Sequence, residues 1–327
     1  LPPSLFGHTG LQPGNVIGFM IGEMAIFGPV MSVMVQIIFL FMLFSAFLQI
    51  SGAGGFFVNL SNAIAGRWRG GPAKVSVFSS SLFGTISGSS VANVAVAGGI
   101  TIPLLMRTGF PPYFSAAVEA TASTGGQIMP PVMGAGAFIM AQLLSISYGD
   151  VIVAAALPAI LYYVGLYAMI DLEAVKQGLR GQPATGTFTK VWSALKEGGH
   201  LLIPVFILLH QLIIAGVSIQ RAGMYATASV LVVSWFRRSS RMNLGKLIQA
   251  LKDGAMNSVG IAAVCATAGI IVGVVSMTGL GIKFGSVIVA LSGGNLFLTL
   301  VFTAAICMVL GMGVPTTAAY IIAAAVG

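Results

Sequence analysis

The feature that most constrains this chain is a set of long apolar runs with almost no charge inside them. The clearest are Val30–Ile50, Val151–Ile170 and Leu201–Val217. Each is close to the roughly 20 residues that a helix needs to cross a bilayer. Of the 327 residues, 57% are hydrophobic and only 7% are charged, too few to solvate a water-soluble fold. Because the runs also lack the alternation of barrel strands, the sequence predicts an all-α polytopic membrane protein.

The distribution of charged residues also indicates a membrane protein. The formal net charge is +8, and the basic residues cluster in loops beside the apolar runs, as at Arg67, Arg69 and Lys74 and again within 237–253. Lys and Arg collect on the cytoplasmic side of membrane proteins, so this charge indicates topology and not a nucleic-acid partner. The sequence has no phosphate-binding loop, nucleophile elbow, zinc-protease motif or Cys-x-x-Cys pair. We therefore expect neither an enzyme nor a cofactor.

Small polar residues interrupt three of the apolar stretches. Glycine accounts for 43 residues, nearly double the usual share of about 7%. Residues 75–105 place a Gly/Ser tip between two short apolar arms, which predicts a re-entrant hairpin. Within 111–148 a helix is predicted to break across 121–131, and a third interrupted piece covers 311–327. Irregular backbone at membrane depth is tolerated only where protein or a water-filled cavity covers it, so these segments are expected to line a site.

An internal repeat relates two of these segments. At an offset of 227 residues Gly84 falls on Gly311, and Ser89-Ser90 falls on Thr316-Thr317. Paired Gly/Pro-interrupted segments in corresponding halves are the best sequence pointer to a transporter binding site. The same offset places the partner of the first broken helix near 348–358, past the last residue. We therefore expect a fragment that does not transport by itself.

The repeat also suggests a division of the chain. Between the two repeats we expect a polar linker at 171–199 and a basic loop at 237–253. The predicted parts are an N-terminal segment (1–28), a first repeat with hairpin and broken helix (29–170), a linker with scaffold helices (171–253) and a second repeat truncated inside its hairpin (254–327).

The interrupted segments offer neutral oxygens and bare helix ends. Helix breaks expose carbonyls, and Ser and Thr add hydroxyls, which together suit a hard cation such as Na⁺. Half-helix N-termini present N–H groups that suit a carboxylate. The Na⁺ ligand candidates are Ser87, Ser89, Thr124, Gly311 and Thr316. The full set of ion- and substrate-binding candidates is Gly84, Ser87, Gly88, Ser89, Ser90, Asn93, Thr121, Thr124, Gly125, Gln127, Pro130, Gly311, Gly313, Thr316 and Thr317.

Glu119 is the one acid within an Ala-rich apolar helix, just before the second interruption. An intramembrane carboxylate is a functional hypothesis by default, and here it predicts a proton relay or an aid to cation binding. The alternative is that the helix starts near Pro112 and that Glu119 faces a polar crevice near the membrane interface.

Three runs resemble the large membrane subunit of tripartite ATP-independent periplasmic (TRAP) transporters. They are LFGTISGSSVANVAVAGGITIPLL, AAVEATASTGGQIMPPVMGAGAFIMA and LGMGVPTTAAYIIAAA. Family members usually read S-G-S-x-x-A-D-T where this chain has Asn93 and Val94 at the last two positions. They read G-P-I-I-P-P where this chain has Gly126-Gln127-Ile128-Met129-Pro130-Pro131. The likeness is closest to the TAXI branch, in which small and large membrane parts are commonly fused.

The resemblance implies a secondary active, Na⁺- or H⁺-coupled uptake of small organic anions such as carboxylates. It implies an inverted-repeat elevator mechanism in a bacterial inner membrane, and substrate delivery by a periplasmic solute-binding protein. It also implies a small membrane subunit or its fused helices as a partner. Two alternatives stay open: an elevator carrier for di- or tricarboxylates that needs no binding protein, and a non-transporting membrane scaffold or channel.

Overall fold

The computed structural model describes residues 12–23, 25–179, 187–237, 240–312 and 316–326. Every regular element within these ranges is helical, and none of them is a strand. Five described helices are long and apolar enough to cross a membrane: Pro29–Ile50, Ser90–Arg107, Tyr148–Lys176, Thr189–Ile214 and Leu244–Thr278. The predicted all-α, multi-pass membrane fold is confirmed.

We number the described helices in chain order. The first are α1 (Pro13–Ile21), α2 (Pro29–Ile50), α3 (Ala53–Ala65), α4 (Gly71–Ser87), α5 (Ser90–Arg107), α6 (Pro112–Gly125), α7 (Ala135–Leu144) and α8 (Tyr148–Lys176). The others are α9 (Thr187–Gly198), α10 (Ile203–Leu209), α11 (Ile219–Ser234), α12 (Leu244–Thr278), α13 (Leu280–Leu291), α14 (Leu296–Gly311) and α15 (Thr316–Val326).

The first hairpin consists of α4 and α5. Its tip is short because Gly88 adopts a left-handed φ of 56°, which reverses the chain at little steric cost. Ser89 then caps α5, its hydroxyl accepting a bond from the amide of Ala92 at 3.3 Å. The two arms begin and end slightly outside the predicted 75–105 boundaries.

The break in the next helix lies further along the chain than predicted. Helix α6 continues to Gly125, and α7 begins only at Ala135, so the irregular segment is 126–134 and not 121–131. Thr124 lies within the helix, where its hydroxyl bonds back to the carbonyl of Ala120 at 2.8 Å, as Ser and Thr in helices often do.

Two segments that the sequence predicted to be a linker and a loop are partly helical. The expected polar linker at 171–199 contains the end of α8 and all of α9. Residues 244–253 of the expected basic loop form the start of α12, because Asn243 caps that helix through the amide of Lys246 at 2.9 Å. Helix α12 is thereby 35 residues long and reaches well beyond its apolar portion.

Two separate apolar cores hold these helices. The larger one joins α2, α3, α7, α11 and α12 around fully buried rings such as Phe41, Phe44 and Phe138. The smaller one, with Leu105, Val118 and Ile170 at its centre, joins the base of the first hairpin to α6 and α8. Because lipid tails are as apolar as these side chains, close packing and hydrogen bonds, rather than the exclusion of water, must hold the helices together.

Candidate functional site

The first hairpin and the α6–α7 break touch backbone to backbone. A Cβ atom added to Gly126 would lie 2.8 Å from the Cα of Gly84, and a Cβ on Gly84 would overlap the Cα of Gly126. At the tip, a Cβ on Gly88 would overlap the carbonyl oxygen of Met133. The amide of Val132 also donates to the carbonyl of Thr85 at 3.2 Å. The glycines at these positions therefore allow a hairpin to lie directly on an irregular segment.

Polar side chains of the tip complete this contact. Asn93 is fully buried, and its amide nitrogen donates to the carbonyl of Ser80 at 2.8 Å. The Ser90 hydroxyl accepts a bond of 2.9 Å from Gln127, which lies within the break. Ser87 is buried, with its hydroxyl 3.4 Å from the backbone amide of Ser89. Gln127 is thus hydrogen-bonded to the hairpin tip through Ser90, while Ser87 and Asn93 bond within the hairpin.

The remaining predicted residues of the broken helix are fixed from the other side by α8. The hydroxyl of Tyr162 donates to the carbonyl of Thr121 at 2.8 Å, and Gly125 packs against the rings of Tyr162 and Tyr163. The peptide bond that joins Pro130 to Pro131 is cis. The hydroxyl of Tyr148 bonds to the carbonyl of Val132. The side chains of Thr121 and Thr124 are exposed, and Thr124 bonds within its own helix.

Glu119 is fully buried and accepts hydrogen bonds from four hydroxyls on three helices. Ser76 and Ser80 on α4 donate to its two oxygens at 2.6 Å and 3.0 Å. Thr101 on α5 donates to Oε2, and Ser123 on α6 donates to Oε1 at 3.0 Å. The alternative that Glu119 faces a polar crevice is therefore wrong, although its helix does start at Pro112. The carboxylate instead links both arms of the hairpin to α6. We call Glu119 and these four residues the hydroxyl cage.

The hydroxyl of Thr101 has two acceptors within reach. It lies within bonding distance of Glu119 Oε2 and, at 3.0 Å, of the carbonyl of Ala97. Its single hydrogen bonds to one of them at a time. When the hydrogen points to Ala97, the lone pairs of the Thr101 oxygen face Glu119.

Two buried acceptors next to the hairpin tip have no hydrogen-bond partner among the described residues. They are Oδ1 of Asn93 and Oε1 of Gln127. Buried amide oxygens are normally hydrogen-bonded, and each exception calls for an explanation such as an ion or water. Neutral carbonyl-type oxygens are also what a Na⁺ ion requires. These two side chains, rather than the hydroxyl of Thr124, fit the cation chemistry predicted for this segment.

The second hairpin brings further predicted residues to the same region. Thr316 and Thr317 begin α15 and line a cleft of about 560 Å³ with Gln127 and Gly134 of the break. Tyr320, one turn on, packs against Gly136 of α7. Gly311 ends α14 in an exposed position, and Gly313 lies outside the described residues. The structure thus brings the start of α15 together with the first broken helix.

Sequence reasoning missed the hydroxyl donors and the tyrosines. Ser76 and Ser80 stand four residues apart and therefore share one face of α4. That spacing, facing an acid in a neighbouring segment, was a usable signal for the cage. Tyr148, Tyr162 and Tyr163 carried no comparable signal, because a tyrosine in an apolar helix usually only packs.

Residues 13–326 match the family model described as the tripartite ATP-independent periplasmic transporter, DctM component. The chain belongs to this family. Its members are transporter permeases and not enzymes. Among curated relatives, the C4-dicarboxylate TRAP transporter large permease protein DctM of Pseudomonas aeruginosa is 32% identical over 168 residues, 51% of this chain and 39% of that protein.

Two other relatives are similar over comparable stretches. The isethionate TRAP transporter permease protein DctMQ of Oleidesulfovibrio alaskensis is 30% identical over 162 residues, 48% of this chain and 25% of that protein. The uncharacterized protein y4mL of Sinorhizobium fredii is 36% identical over 145 residues, 44% of this chain and 34% of that protein. The alignments therefore span well under half the length of these relatives.

Proposed function

We propose that this chain is the membrane permease part of an ion-coupled uptake system for small organic anions such as carboxylates. The observation that carries the proposal is the meeting of Gln127, in the first broken helix, with Thr316 and Thr317 at the start of α15. Discontinuous helices that converge near the middle of a membrane supply the sites of many secondary transporters. Names of relatives that mention C4-dicarboxylate and isethionate support a small organic anion.

The hydroxyl cage is our candidate for the coupling site, with a proton as the coupling ion. Glu119 is the one buried acid at this contact, and the Thr101 hydroxyl can donate to it or turn its lone pairs towards it. Because Glu119 has no exposed surface, a proton reaches it only when the hairpin and α6 separate or when a hydroxyl passes the proton on. Proton binding would thereby be linked to hairpin movement.

Sodium is the second candidate, and a different observation favours it. The unpartnered oxygens of Asn93 and Gln127 lie beside the hairpin tip, where the related motif carries an Asp in place of Asn93. Both oxygens are neutral, which suits a monovalent cation bound by carbonyl-type ligands. Ser87 and Ser89 would add hydroxyl oxygens from the same tip.

The orientation of the protein in the membrane is inferred from the distribution of its basic residues. Helices α8 and α11 begin at a cleft lined by Asp150 and Gln220, and the start of α2 at Pro29 lines a neighbouring cleft that also contains Gln220. Their far ends lead to the basic residues near Arg69 and Arg237, where Asp171 at the end of α8 pairs with Arg69 at 2.6 Å. By the positive-inside rule this basic side faces the cytoplasm. The opposite cleft would then face the periplasm of a bacterial inner membrane.

Partners and mechanism belong to the same proposal. A periplasmic solute-binding protein would deliver substrate at the periplasmic side, and a small membrane subunit or fused equivalent helices would complete the scaffold. The name DctMQ of one relative and the TAXI-like motif of this chain support the second point. We propose an elevator movement of the hairpins and broken helices against α2, α11 and α12, which form the core opposite them.

The test is uptake by the intact permease in proteoliposomes supplied with its binding protein. Radiolabelled carboxylates would be offered under an imposed pH gradient, an imposed Na⁺ gradient, both or neither. Accumulation that requires one of the gradients supports the proposal, and the gradient that suffices identifies the ion. Accumulation without the binding protein favours the di- or tricarboxylate carrier alternative. Uptake that neither gradient affects would overturn ion coupling, and passive flux would favour a channel.

A further inference from the structure

An exposed face of α9 and the α11–α12 connection combines tryptophan with positive charge. On α9, Trp192 is 53% exposed, and the ammonium of Lys196 lies 5.6 Å from the centre of its ring. At the end of α11, Trp235 is 66% exposed, and the guanidinium of Arg241 lies 5.5 Å from its ring. We call these four residues the Trp–cation patch. Neither pair belongs to the hairpins or to the hydroxyl cage.

The two halves of the patch are held next to each other. His200, just after α9, and Ser240, just before α12, are joined by a hydrogen bond of 2.8 Å. A pocket of about 220 Å³ lies at this junction and is lined by polar groups of Asn59, His200 and Ser240. Helix α9 is itself fixed to α3, where Gly198 packs directly on the ring of Phe56. The segments that carry the two pairs are therefore joined at this junction.

The region around the Trp–cation patch carries more positive than negative charge. Among the described residues, Lys190, Lys196, Arg237 and Arg241 are exposed around the junction. Glu197 is the one carboxylate that lines the pocket, so positive charge dominates. Tryptophan prefers the headgroup level of a bilayer, and clustered Lys and Arg beside a membrane attract anionic headgroups. Topology alone explains basic loops, but it does not explain why each of two exposed tryptophans carries a cation at its ring.

We propose that the Trp–cation patch binds the headgroup of an anionic phospholipid of the cytoplasmic leaflet. Lys196 and Arg241 would contact the phosphate, and the two tryptophan rings would lie at the glycerol level beside it. The pocket at His200 and Ser240 would accept the polar end of the headgroup. This site would fix α9 and the α11–α12 connection at the membrane surface, whatever the transported substrate is.

The first experiment measures lipid binding by native mass spectrometry of the intact permease in detergent. Phosphatidylglycerol and phosphatidylcholine with identical acyl chains would be titrated in turn. At about 1 kcal/mol for each basic residue near the headgroup, the double variant Lys196→Gln/Arg241→Gln should bind phosphatidylglycerol about 25-fold more weakly. The matched control is Arg221→Gln, at the opposite end of α11, which should leave this affinity unchanged.

A second measurement needs no charge variant. Phosphatidylglycerol brominated on the upper part of its acyl chains should quench the tryptophan fluorescence of the wild type more than brominated phosphatidylcholine does. Most of that difference should disappear in Trp192→Phe/Trp235→Phe. Equal quenching by the two lipids, or an equal loss of affinity in Arg221→Gln, would overturn the proposal and leave only a non-specific attraction of anionic lipid to basic side chains.

Discussion

The two hairpins share a sequence pattern but differ in what surrounds it. In the first, Gly84 touches Gly126 and the hairpin is buried against the broken helix. In the second, the equivalent Gly311 is exposed, and no described atom lies within 4 Å of the place that a Cβ would take there. Within the described residues, the buried polar contact is therefore found where an irregular segment packs on the hairpin.

The hydrogen bonds of equivalent hydroxyl groups also differ between the two hairpins. Ser76 of α4 donates to Glu119, across to another helix, at 2.6 Å. Its equivalent at the 227-residue offset is Thr303 of α14, which donates to the carbonyl of Thr299 in its own helix at 2.9 Å. No Asp or Glu occurs anywhere in residues 254–327. At these two equivalent positions, therefore, Ser76 bonds to an acid on another helix, whereas Thr303 bonds within its own helix.

The largest expected effect comes from removing the shared acceptor. In Glu119→Leu, Thr101 keeps the carbonyl of Ala97 as an acceptor, but Ser76, Ser80 and Ser123 lose theirs. At about 1–3 kcal/mol for each unsatisfied buried group, we expect a loss of about 3–5 kcal/mol of unfolding free energy. Thermal denaturation of the intact permease would measure it. Glu119→Gln keeps an acceptor oxygen and should lose less than half as much; equal losses would contradict the cage.

The second-largest effect is expected when a methyl group is added to a glycine of the repeat. Gly84→Ala places a Cβ onto the backbone of Gly126, so we expect about 1–3 kcal/mol of destabilisation and a loss of uptake. Gly311→Ala, compared with Gly84→Ala in the 327-residue chain, is the matched control, because no described residue lies where its Cβ would be. The melting temperature of Gly311→Ala should stay close to that of the wild type. Similar effects of the two substitutions would show that the hairpins are packed alike.

The smallest effect is expected from single hydroxyls. Ser76→Ala removes one bond to Glu119 and should cost about 1 kcal/mol, because three donors remain. Thr303→Val removes a bond within a helix on a less buried arm and should cost less than about 0.5 kcal/mol. Thermal denaturation under identical lipid conditions would compare them. A larger loss in Thr303→Val would reverse the contrast between the two hairpins.

The features that the sequence predicted correctly depend on residues that are close together in the chain. Apolar runs predicted the membrane helices, the Gly/Ser tip predicted the first hairpin, and the Gly and Pro pairs predicted a break. The break lies at 126–134 rather than 121–131, and the hydroxyls of Ser123 and Thr124 bond to groups within their own helix. Residue composition alone does not reveal that a hydroxyl will find such a local acceptor.

The parts of the site that the sequence did not predict depend on contacts between distant segments of the chain. Glu119 meets Ser76 and Ser80 only because Gly84 and Gly126 allow two helices to approach closely. That approach depends on the rotation of each helix, which a one-dimensional pattern does not specify. The tyrosines of α8 that hold the carbonyls of the broken helix were missed for the same reason.

The central claim is that Glu119 couples proton movement to substrate uptake, and proton influx tests it most directly. The intact wild-type permease and Glu119→Gln would be reconstituted with a trapped pH-sensitive dye, and substrate with its binding protein would be added without any Na⁺ gradient. We expect acidification of the lumen in step with uptake for the wild type, and none for Glu119→Gln. Substrate-dependent acidification that is equal in both proteins would contradict the account.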